Sequence, residues 1–268
     1  AYQLVGEAQD VTIIGDYGFL KDANRHEDSG YRIFDVTNPE NPVHVSSFAA
    51  IGGSDIDQID DYLFIASDAV TIYNLRNIDE PRQVEAYGEG IFDIVTWDDV
   101  LYAVVQDEGI QILNPDDPDN IEVIGQIDDA ATHIGADEDL LYALGDGLRI
   151  YDVSNPAETA LLNTVDNLNG DEIVIQGNLI FLITYDADAG DGFQIVDYAD
   201  PENPVVYELF EPENSLVDLD VQGTFAYLTC EGARLEVIDI TNPAEPAVAG
   251  FYDNDFGEMY GLEANGIY

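Results

Sequence analysis

The stretch Arg32-Ile33-Phe34-Asp35-Val36-Thr37-Asn38-Pro39 contains the pattern that decides the fold, because versions of it return along the whole chain. In each version an apolar run ends in Asp or Asn. The six copies end at Asp35, Asn74, Asn114, Asp152, Asp197 and Asp239. A proline follows four residues later in every copy except the second, which has Ile78 at that place. A short apolar run closed by a proline turn is typical of a β-strand.

A second recurring feature is an aromatic residue inside an apolar run. It occurs at Phe19, Phe64, Tyr102, Tyr142, Phe181, Tyr227 and Tyr268. Each repeat unit predicts four short strands, and helical periodicity is absent. In the fifth unit the predicted strands are Asp171–Gln176, Leu179–Tyr185, Gly192–Tyr198 and Val205–Phe210. A four-stranded sheet repeated in this way predicts an all-β fold, the β-propeller.

Strand counting predicts seven radial positions within a single domain, residues 1–268. Six repeats are expected at about 9–53, 54–90, 91–130, 131–170, 171–215 and 216–257. The seventh blade is expected to be incomplete and shared between the ends of the chain, residues 1–8 and 258–268. We expect Tyr2–Ala8 to be its outermost strand and Tyr260–Tyr268 to supply its inner strands. We also expect the natural chain to continue beyond Tyr268, although another element could fill the gap.

The charge of the chain is far from balanced, with 56 acidic residues, 7 basic residues and a formal net charge of −49 at pH 7. On a surface of the expected size, these charges repel one another by roughly 25 kcal/mol at very low salt and about 6 kcal/mol at physiological salt. The low-salt figure exceeds the stability of an ordinary domain, about 5–15 kcal/mol. The composition therefore predicts a halophilic setting, bound divalent cations, or both.

The same charge argues against several classes of partner. Nucleic acids and anionic membrane surfaces bind clusters of Lys and Arg, which this acidic chain does not offer. No uncharged run approaches the roughly 20 residues of a membrane-spanning helix. We therefore predict a protein or self-assembly partner, with no nucleic acid and no membrane insertion.

One register of the repeat is acidic. Counting nine residues back from each aromatic gives Asp10, Asp55, Asp93, His133, Glu172, Asp218 and, in the seventh repeat, Met259. In a propeller, these positions ring one mouth of the central channel, at the entrance of each innermost strand. Each side chain either bonds backbone amides of its own turn or contributes to a negatively charged site for a metal ion.

Two long hairpins vary in length between the second and third strands and are also acidic. They are Lys21–Gly30 and Asp186–Gly192. The second resembles a calcium loop, in which Asp186, Asp188 and Asp191 would supply carboxylate ligands and glycines would allow a sharp turn. The alternative is a solvated acidic hairpin. Blade topology places the long hairpins on the same face as the acidic register.

Three strings resemble the LVIVD repeat: Leu235-Glu236-Val237-Ile238-Asp239, Phe193-Gln194-Ile195-Val196-Asp197 and Leu148-Arg149-Ile150-Tyr151-Asp152. The frame around them does too, as in Asp10-Val11 and in Asp35–Pro42. The resemblance covers essentially the whole chain. It implies a β-propeller that is commonly secreted or surface-exposed, and it implies no activity, because the family has no shared catalytic residues. The departures Asn74, Asn114 and Ile78 are expected to weaken their own turns.

No catalytic motif stands out in the sequence. We therefore expect a non-enzymatic extracellular or cell-surface scaffold for protein interaction, stabilised by calcium and part of a surface assembly. The alternative is a metal-assisted, lactonase-like hydrolase that uses the carboxylates at the channel mouth. Carboxylates that converge on one ion would favour the enzyme, whereas carboxylates tied to local backbone amides would favour the scaffold.

Overall fold

The computed structural model describes residues 8–22, 30–50, 53, 55–186, 190–212, 214–232, 234–253, 259 and 261–264. These residues form a β-propeller of six four-stranded blades, in which successive strands pair antiparallel. Within the described ranges, no helix has the length and apolarity needed to span a membrane. The chain divides into two compact units, Ala1–Asp128 and Asp129–Tyr268.

The first unit contains three blades. Blade 1 consists of β1 (Ala8–Ile14), β2 (Tyr17–Asp22), β3 (Gly30–Asp35) and β4 (Val43–Ala49). Blade 2 consists of β5 (Asp55–Ile59), β6 (Tyr62–Ala66), β7 (Val70–Asn74) and β8 (Arg82–Tyr87). Blade 3 consists of β9 (Ile91–Trp97), β10 (Val100–Val105), β11 (Gly109–Asn114) and β12 (Glu122–Ile127). Strand β1 contacts β5, and β5 contacts β9, so the first strand of each blade is the innermost.

The second unit contains the other three described blades. Blade 4 consists of β13 (Ala131–Asp137), β14 (Leu140–Gly145), β15 (Gly147–Asp152) and β16 (Ala160–Val165). Blade 5 consists of β17 (Gly170–Gln176), β18 (Leu179–Asp186), β19 (Gly190–Asp197) and β20 (Val205–Val206). Blade 6 consists of β21 (Leu216–Gln222), β22 (Phe225–Cys230), β23 (Arg234–Asp239) and β24 (Ala247–Asp253). Strand β13 contacts β17, and β17 contacts β21.

The recurring aromatic residue packs each blade against the next one within its unit. Phe19 shares an apolar cluster with Ile56 of blade 2, and Phe181 shares one with Leu219 of blade 6. The aromatic side chain is buried in blades 1 to 5 and partly buried at Tyr227. Apolar contact between blades is the main driving force for stacking repeats, which explains why the spacing of this residue is so regular.

The Asp or Asn that ends each third strand closes the following turn. In all six blades its Oδ1 accepts the backbone N–H of the residue two positions later, at 2.8–3.0 Å. Asn74 and Asn114 make this bond as the aspartates do, because an amide oxygen is also a hydrogen-bond acceptor. The turns after Asn74 and Asn114 therefore keep the bond found in the other blades, and weakening of these turns stays a prediction.

The predicted strands of the fifth unit agree with the structure to within two residues, except the last. Strand β20 covers Val205–Val206. The N–H of Tyr207 still donates to the carbonyl of Ile195 in β19, and the next contact is the isolated bridge between Phe193 and Phe210. Between them, Leu209 packs closely over Gly192, where an added Cβ would lie 2.6 Å from the leucine Cδ1. This close packing accompanies the interruption of the outer strand.

The prediction of seven radial positions is corrected by the structure, which shows six blades in its described residues. Of the expected outermost strand Tyr2–Ala8, only Ala8 lies within the described residues. It begins β1, the innermost strand of blade 1.

At the other end of the chain, residues 261–264 lie beside β21 but form no strand. The carboxylates of Asp218 and Asp220 accept the backbone N–H groups of Leu262 and Ala264. Side chains therefore take two of the donors that a regular strand would give to a backbone ladder. The segment contacts the innermost strand of blade 6 without building a further sheet.

Candidate functional site

The acidic register lies at the start of the innermost strands. In five of the six described blades a β-bulge directly precedes it, and the pairing register with the second strand skips one exposed residue there. The bulged residues are Gln9, Phe92, Thr132, Asp171 and Val217. A bulge disrupts the ladder locally and re-aims the neighbouring side chains. Backbone donors beside it therefore need acceptors from outside the ladder.

Three of the predicted carboxylates accept a backbone N–H of their own strand, and Asp10 and Asp218 do so beside a bulge. Asp10 Oδ1 accepts the N–H of Val11 at 2.8 Å, Asp55 Oδ1 that of Ile56 at 2.7 Å, and Asp218 Oδ1 that of Leu219 at 2.8 Å. Each bond joins a side chain to the next residue of its own strand. One oxygen of each of these carboxylates is therefore used by the local backbone.

The other positions behave differently from one another. His133 Nδ1 lies 3.2 Å from Thr132 Oγ1, and Glu172 lies opposite Ile183 in the sheet register. In the part of the chain that the structure describes, no three His, Cys, Asp or Glu residues are arranged to hold a metal ion. Metal binding by the acidic register stays a prediction.

Two members of the register meet between blades 2 and 3. The carboxyl of Asp55 is hydrogen-bonded to that of Asp93, whose side chain is buried. Burial, followed by the charges of Asp93 and Asp57, raises the pKa of Asp55 well above its usual value. A hydrogen bond between two carboxyls requires a proton between them, so Asp55 and Asp93 titrate as a coupled pair. We call these two residues the carboxyl pair.

Blade 1 adds a phenol that interacts with Asp55 and a cation that interacts with Asp10. Burial, with the charges of Asp10 and Asp55, raises the pKa of Tyr31 above its usual range. Lys21 Nζ donates to the carbonyl of Gly53, and its charge partly offsets the effect of burial, which raises the pKa of Asp10. A Cβ on Gly53 would lie 2.5 Å from Tyr31 Oη, so this close approach requires glycine. The phenol of Tyr31 therefore lies close enough to Asp55 to feel its charge, whereas Lys21 acts on Asp10.

A second acidic position, two residues further along the strand, was missed by the sequence analysis. Asp57 accepts the N–H of Gln58 at 2.8 Å with one oxygen and that of Thr96, in blade 3, at 2.6 Å with the other. Asp220 does the same in blade 6, with Val221 and Ala264. The sequence signal for this second position is the alternation Asp-x-Asp in β5 and β21. It places both carboxyls on one face of the strand.

The predicted calcium loop lies only partly within the described residues. Asp186 pairs with Gly190, and Asp191 pairs with Tyr185, in the register of β18 and β19. Asp188 lies outside the described residues, and so do residues 23–29 of the other long hairpin. Calcium binding at Asp186, Asp188 and Asp191 therefore stays a prediction.

The sheet register places the acidic position and the long hairpin at the same end of a blade. Asp10 lies opposite Lys21 in blade 1, and Glu172 lies opposite Ile183 in blade 5. Both partners stand near the end of the second strand, where the long hairpin begins. The expected shared face is thus observed within each of these two blades.

Comparison with known proteins supports the repeat and the fold. The model of the LVIVD repeat matches residues 5–50, 131–167 and 216–254. No curated protein sequence matches the chain at a significant level. The match to the LVIVD repeat model therefore confirms the resemblance noted from the sequence.

Solved structures share the propeller fold at low sequence identity. The periplasmic gluconolactonase PpgL of Pseudomonas aeruginosa has a TM-score of 0.75 at 12% identity, over 92% of this chain and 85% of that chain. The β-propeller domain of Cps50 (Swd1) from Myceliophteria thermophila has a TM-score of 0.74 at 12% identity, over 97% and 90%. The computationally designed protein Ika8 has a TM-score of 0.65 at 8% identity, over 98% and 92%. At these identities the similarity shows the fold alone.

Proposed function

We propose that this β-propeller with LVIVD repeats is a non-enzymatic scaffold that binds proteins outside the cell or at the cell surface. The observation that carries the proposal is the use of the acidic register. Asp10, Asp55 and Asp218 each bond the next backbone N–H of their own strand. Carboxylates that bond backbone amides of their own strand serve the fold, and this is the outcome that favours a scaffold over an enzyme.

The outer strands supply a surface for such binding. An exposed apolar side chain stands at the first or second position of the fourth strand in five blades: Val43, Val123, Leu161, Val205 and Val248. Each fourth strand is also the end strand of its sheet, so one edge pairs with no other described strand. Edge strands with apolar side chains recruit extended segments of partner proteins by strand addition.

The composition of the chain supports the proposed extracellular setting. A net charge of −49 destabilises the folded chain at low ionic strength and is tolerated in salt or with bound divalent cations. A saline or calcium-containing extracellular medium fits this requirement.

Self-assembly through the outer strands is tested by sedimentation velocity over a hundredfold range of protein concentration. We expect concentration-dependent association of the wild type that is lost in Val248→Lys, because a charge on the exposed strand edge opposes pairing. Phe92→Lys, which changes an exposed bulge residue of an innermost strand, is the matched control and should associate normally. A monomer at every concentration, or equal loss in both variants, contradicts this mode of assembly.

Calcium stabilisation is tested by titration calorimetry on the wild type and on Asp186→Ala/Asp188→Ala. Heat of binding in the wild type that disappears in the double variant supports an ion in this hairpin. No heat in either protein, or equal heat in both, leaves a solvated acidic hairpin.

A hydrolase is the second candidate function, and the carboxyl pair is the observation that favours it. A carboxyl that keeps its proton at raised pH can act as a general acid. The test is hydrolysis of a panel of lactones and esters, with and without divalent metal ions. The enzyme requires turnover that Asp55→Asn and Asp93→Asn abolish and that Asp79→Asn, an exposed carboxyl-to-amide control, leaves unchanged. Equal rates in all four proteins support the scaffold.

A further inference from the structure

One face of blade 6 is only partly covered. Residues that pair in the sheet register, or that stand two apart on a strand, lie on the same face of a blade. The registers of blade 6 bring five such positions together, which we call the open face: Tyr227, Leu235, Val237, Gly250 and Tyr252. Tyr252 is 59% exposed, and Tyr227, Leu235 and Val237 are only partly buried. Blade 6 therefore presents aromatic and aliphatic side chains on the broad face of its sheet.

The equivalent face of blade 4 is closed. Tyr142, Leu148 and Ile150 stand at three of the same repeat positions, and each is 0% exposed. They lie in one apolar cluster with residues of blade 5: Ile180, Leu182, Val196 and Tyr198. Burial against a following blade is what these positions of the repeat provide for, and blade 6 departs from it.

The covering residues have the same pattern at three interfaces between blades. In each case the second strand and the end of the third strand present apolar side chains at alternate positions. Blade 2 covers blade 1 with Leu63, Ile65, Tyr73 and Leu75. Blade 5 covers blade 4 with Ile180, Leu182, Val196 and Tyr198. Blade 6 covers blade 5 with Ala226, Leu228, Ile238 and Ile240. A β-hairpin with apolar residues at alternate positions is therefore the element that closes this face.

The fourth strand shows the same difference between blades. Ser46 Oγ in blade 1 donates to the carbonyl of Ile78 in blade 2 at 2.5 Å. Asn163 Nδ2 in blade 4 donates to the carbonyl of Glu202 in blade 5 at 2.6 Å. Gly250 holds this repeat position in blade 6, and an added Cβ there would meet no atom within 4 Å. The space above Gly250 is therefore open at the point where blades 1 and 4 contact the next blade.

The inner edge of the open face is covered by the chain itself. Asp220 Oδ2 accepts the N–H of Ala264. The carboxylate of Asp57, at the same repeat position in blade 2, accepts the N–H of Thr96 in the innermost strand of blade 3. Residues 261–264 therefore take the place that the innermost strand of a following blade would have. What stays exposed is the area that a hairpin covers in the other blades.

We infer that the open face binds a β-hairpin of a partner protein, with apolar residues at alternate positions of both strands. The inference rests on the proposed protein-binding function and names its surface and the kind of partner. The hairpin lies beside residues 261–264 and covers Tyr227, Val237 and Tyr252, in the way that blade 5 covers blade 4.

Two features favour a separate partner over a second copy of this chain. A blade of a second copy would bring its own innermost strand to the place beside β21 that residues 261–264 occupy. A net charge of −49 on each copy also opposes their approach. The partner hairpin is therefore expected to be neutral or basic.

The probe for this surface is a cyclised peptide of residues 62–75, the hairpin of β6 and β7 that covers blade 1. Cyclisation is needed because an isolated two-stranded hairpin is only marginally stable. Titration calorimetry with the full chain should show saturable binding with a dissociation constant of about 0.1 mM, since the costs of association offset part of the apolar contact. The peptide with Leu63→Ser and Ile65→Ser should bind at least tenfold more weakly.

Tyr252→Ser and Phe251→Ser form a matched pair of variants. These neighbours on β24 are 59% and 58% exposed, and the register places them on opposite faces. Tyr252→Ser should weaken peptide binding at least tenfold, whereas Phe251→Ser should leave it unchanged. Gly250→Lys, which adds a charged side chain in open space, should also weaken binding at least tenfold. Circular dichroism establishes that each variant is folded before binding is compared.

Three results overturn the inference: no saturable binding, equal binding by the wild type and both open-face variants, or self-association of the wild type that Tyr252→Ser abolishes. The last result would assign the open face to a second copy. Association through the strand edge is measured separately with Val248→Lys, because Val248 lies opposite Ile238 on the other face. Failure of peptide binding with edge association intact would therefore reject this surface and keep the proposed scaffold.

Discussion

Asp55 and Asp218 occupy the same position of the repeat, yet their second oxygens have different neighbours. Both carboxylates accept the next N–H of their own strand with Oδ1, at 2.7 and 2.8 Å. The second oxygen of Asp218 accepts the N–H of Leu262 at 2.5 Å. Asp55 instead faces the carboxyl of Asp93. The repeat therefore fixes the first bond, and the neighbouring segment decides the chemistry of the second oxygen.

This difference changes the role of a carboxylate. At β21 both oxygens meet backbone donors, which stabilise the charged form. At β5 a second acid replaces the donor, which stabilises the protonated form. A carboxyl-to-amide substitution should therefore have opposite effects at the two positions.

Salt should have the largest effect on stability. It should also distinguish the contribution of the surface charge from that of the carboxyl pair. Raising monovalent salt from low to near-molar levels should stabilise the wild type by several kcal/mol, because it screens a net charge of −49. The difference in stability between the wild type and Asp55→Asn should change little, since interactions of buried groups are screened less. Chemical denaturation at each salt concentration measures both quantities. A wild-type stability that is flat across the range would show that the surface charge is already neutralised.

Asp218→Asn should lower the free energy of unfolding by about 1 kcal/mol, because the partly buried N–H of Leu262 loses its acceptor. The amide oxygen can keep the bond to Leu219, but the amide NH₂ group would then face the N–H of Leu262. Hydrogen exchange at Leu262 should become faster in the variant. Unchanged stability together with unchanged exchange would show that this oxygen does not hold the segment 261–264.

Asp55→Asn should have the opposite sign near neutral pH. The pKa of Asp55 is raised from 3.8 by burial and by Asp93, so the folded chain keeps this proton to higher pH than the unfolded chain does. The stability of the wild type should therefore fall as pH rises from about 3.8 through the raised pKa. Each unit by which the pKa is raised lowers the stability at higher pH by about 1.4 kcal/mol.

The variant removes this part of the pH dependence, so it should be more stable than the wild type at neutral pH and similar to it below pH 3.8. Asp10, Asp57 and Asp220 also have raised pKa values, which leaves a smaller slope in the variant. Denaturation curves from pH 3 to 8 provide the measurement. A variant that is less stable than the wild type at neutral pH would contradict the proton shared with Asp93.

Local interactions explain how much of this molecule could be predicted from its sequence. The Asp or Asn of the third strand bonds the backbone two residues later, and three carboxylates of the acidic register bond the next residue, so both features leave a periodic trace in the sequence. The number of blades, in contrast, depends on contacts between residues that are distant in sequence. Whether 261–264 becomes a strand depends on how Asp218 and Asp220 bind it.

The missed parts of the site all involve residues that are distant in sequence. Thr96 lies 39 residues from the carboxylate of Asp57 that accepts its N–H. The meeting of Asp55 with Asp93 likewise needs two blades in place.

The hairpins that follow β5 and β21 give the smallest contrast. Both are two-residue turns whose first residue has positive φ, 52° at Asp60 and 60° at Gly223. Gly223→Ala should lower the stability by about 1 kcal/mol, because a Cβ is strained in the left-handed region. An added Cβ at Gly223 meets no atom within 4 Å, so this effect isolates backbone strain from packing.

Asp60→Gly should change the stability by less than about 0.5 kcal/mol. Relief of strain at Asp60 is offset by the greater freedom of glycine in the unfolded chain. Denaturation of the two variants under one set of conditions measures the contrast. Equal losses in both would mean that the turn after β5 depends on the Asp60 side chain. No loss in Gly223→Ala would mean that the turn after β21 shifts to a conformation that accepts alanine.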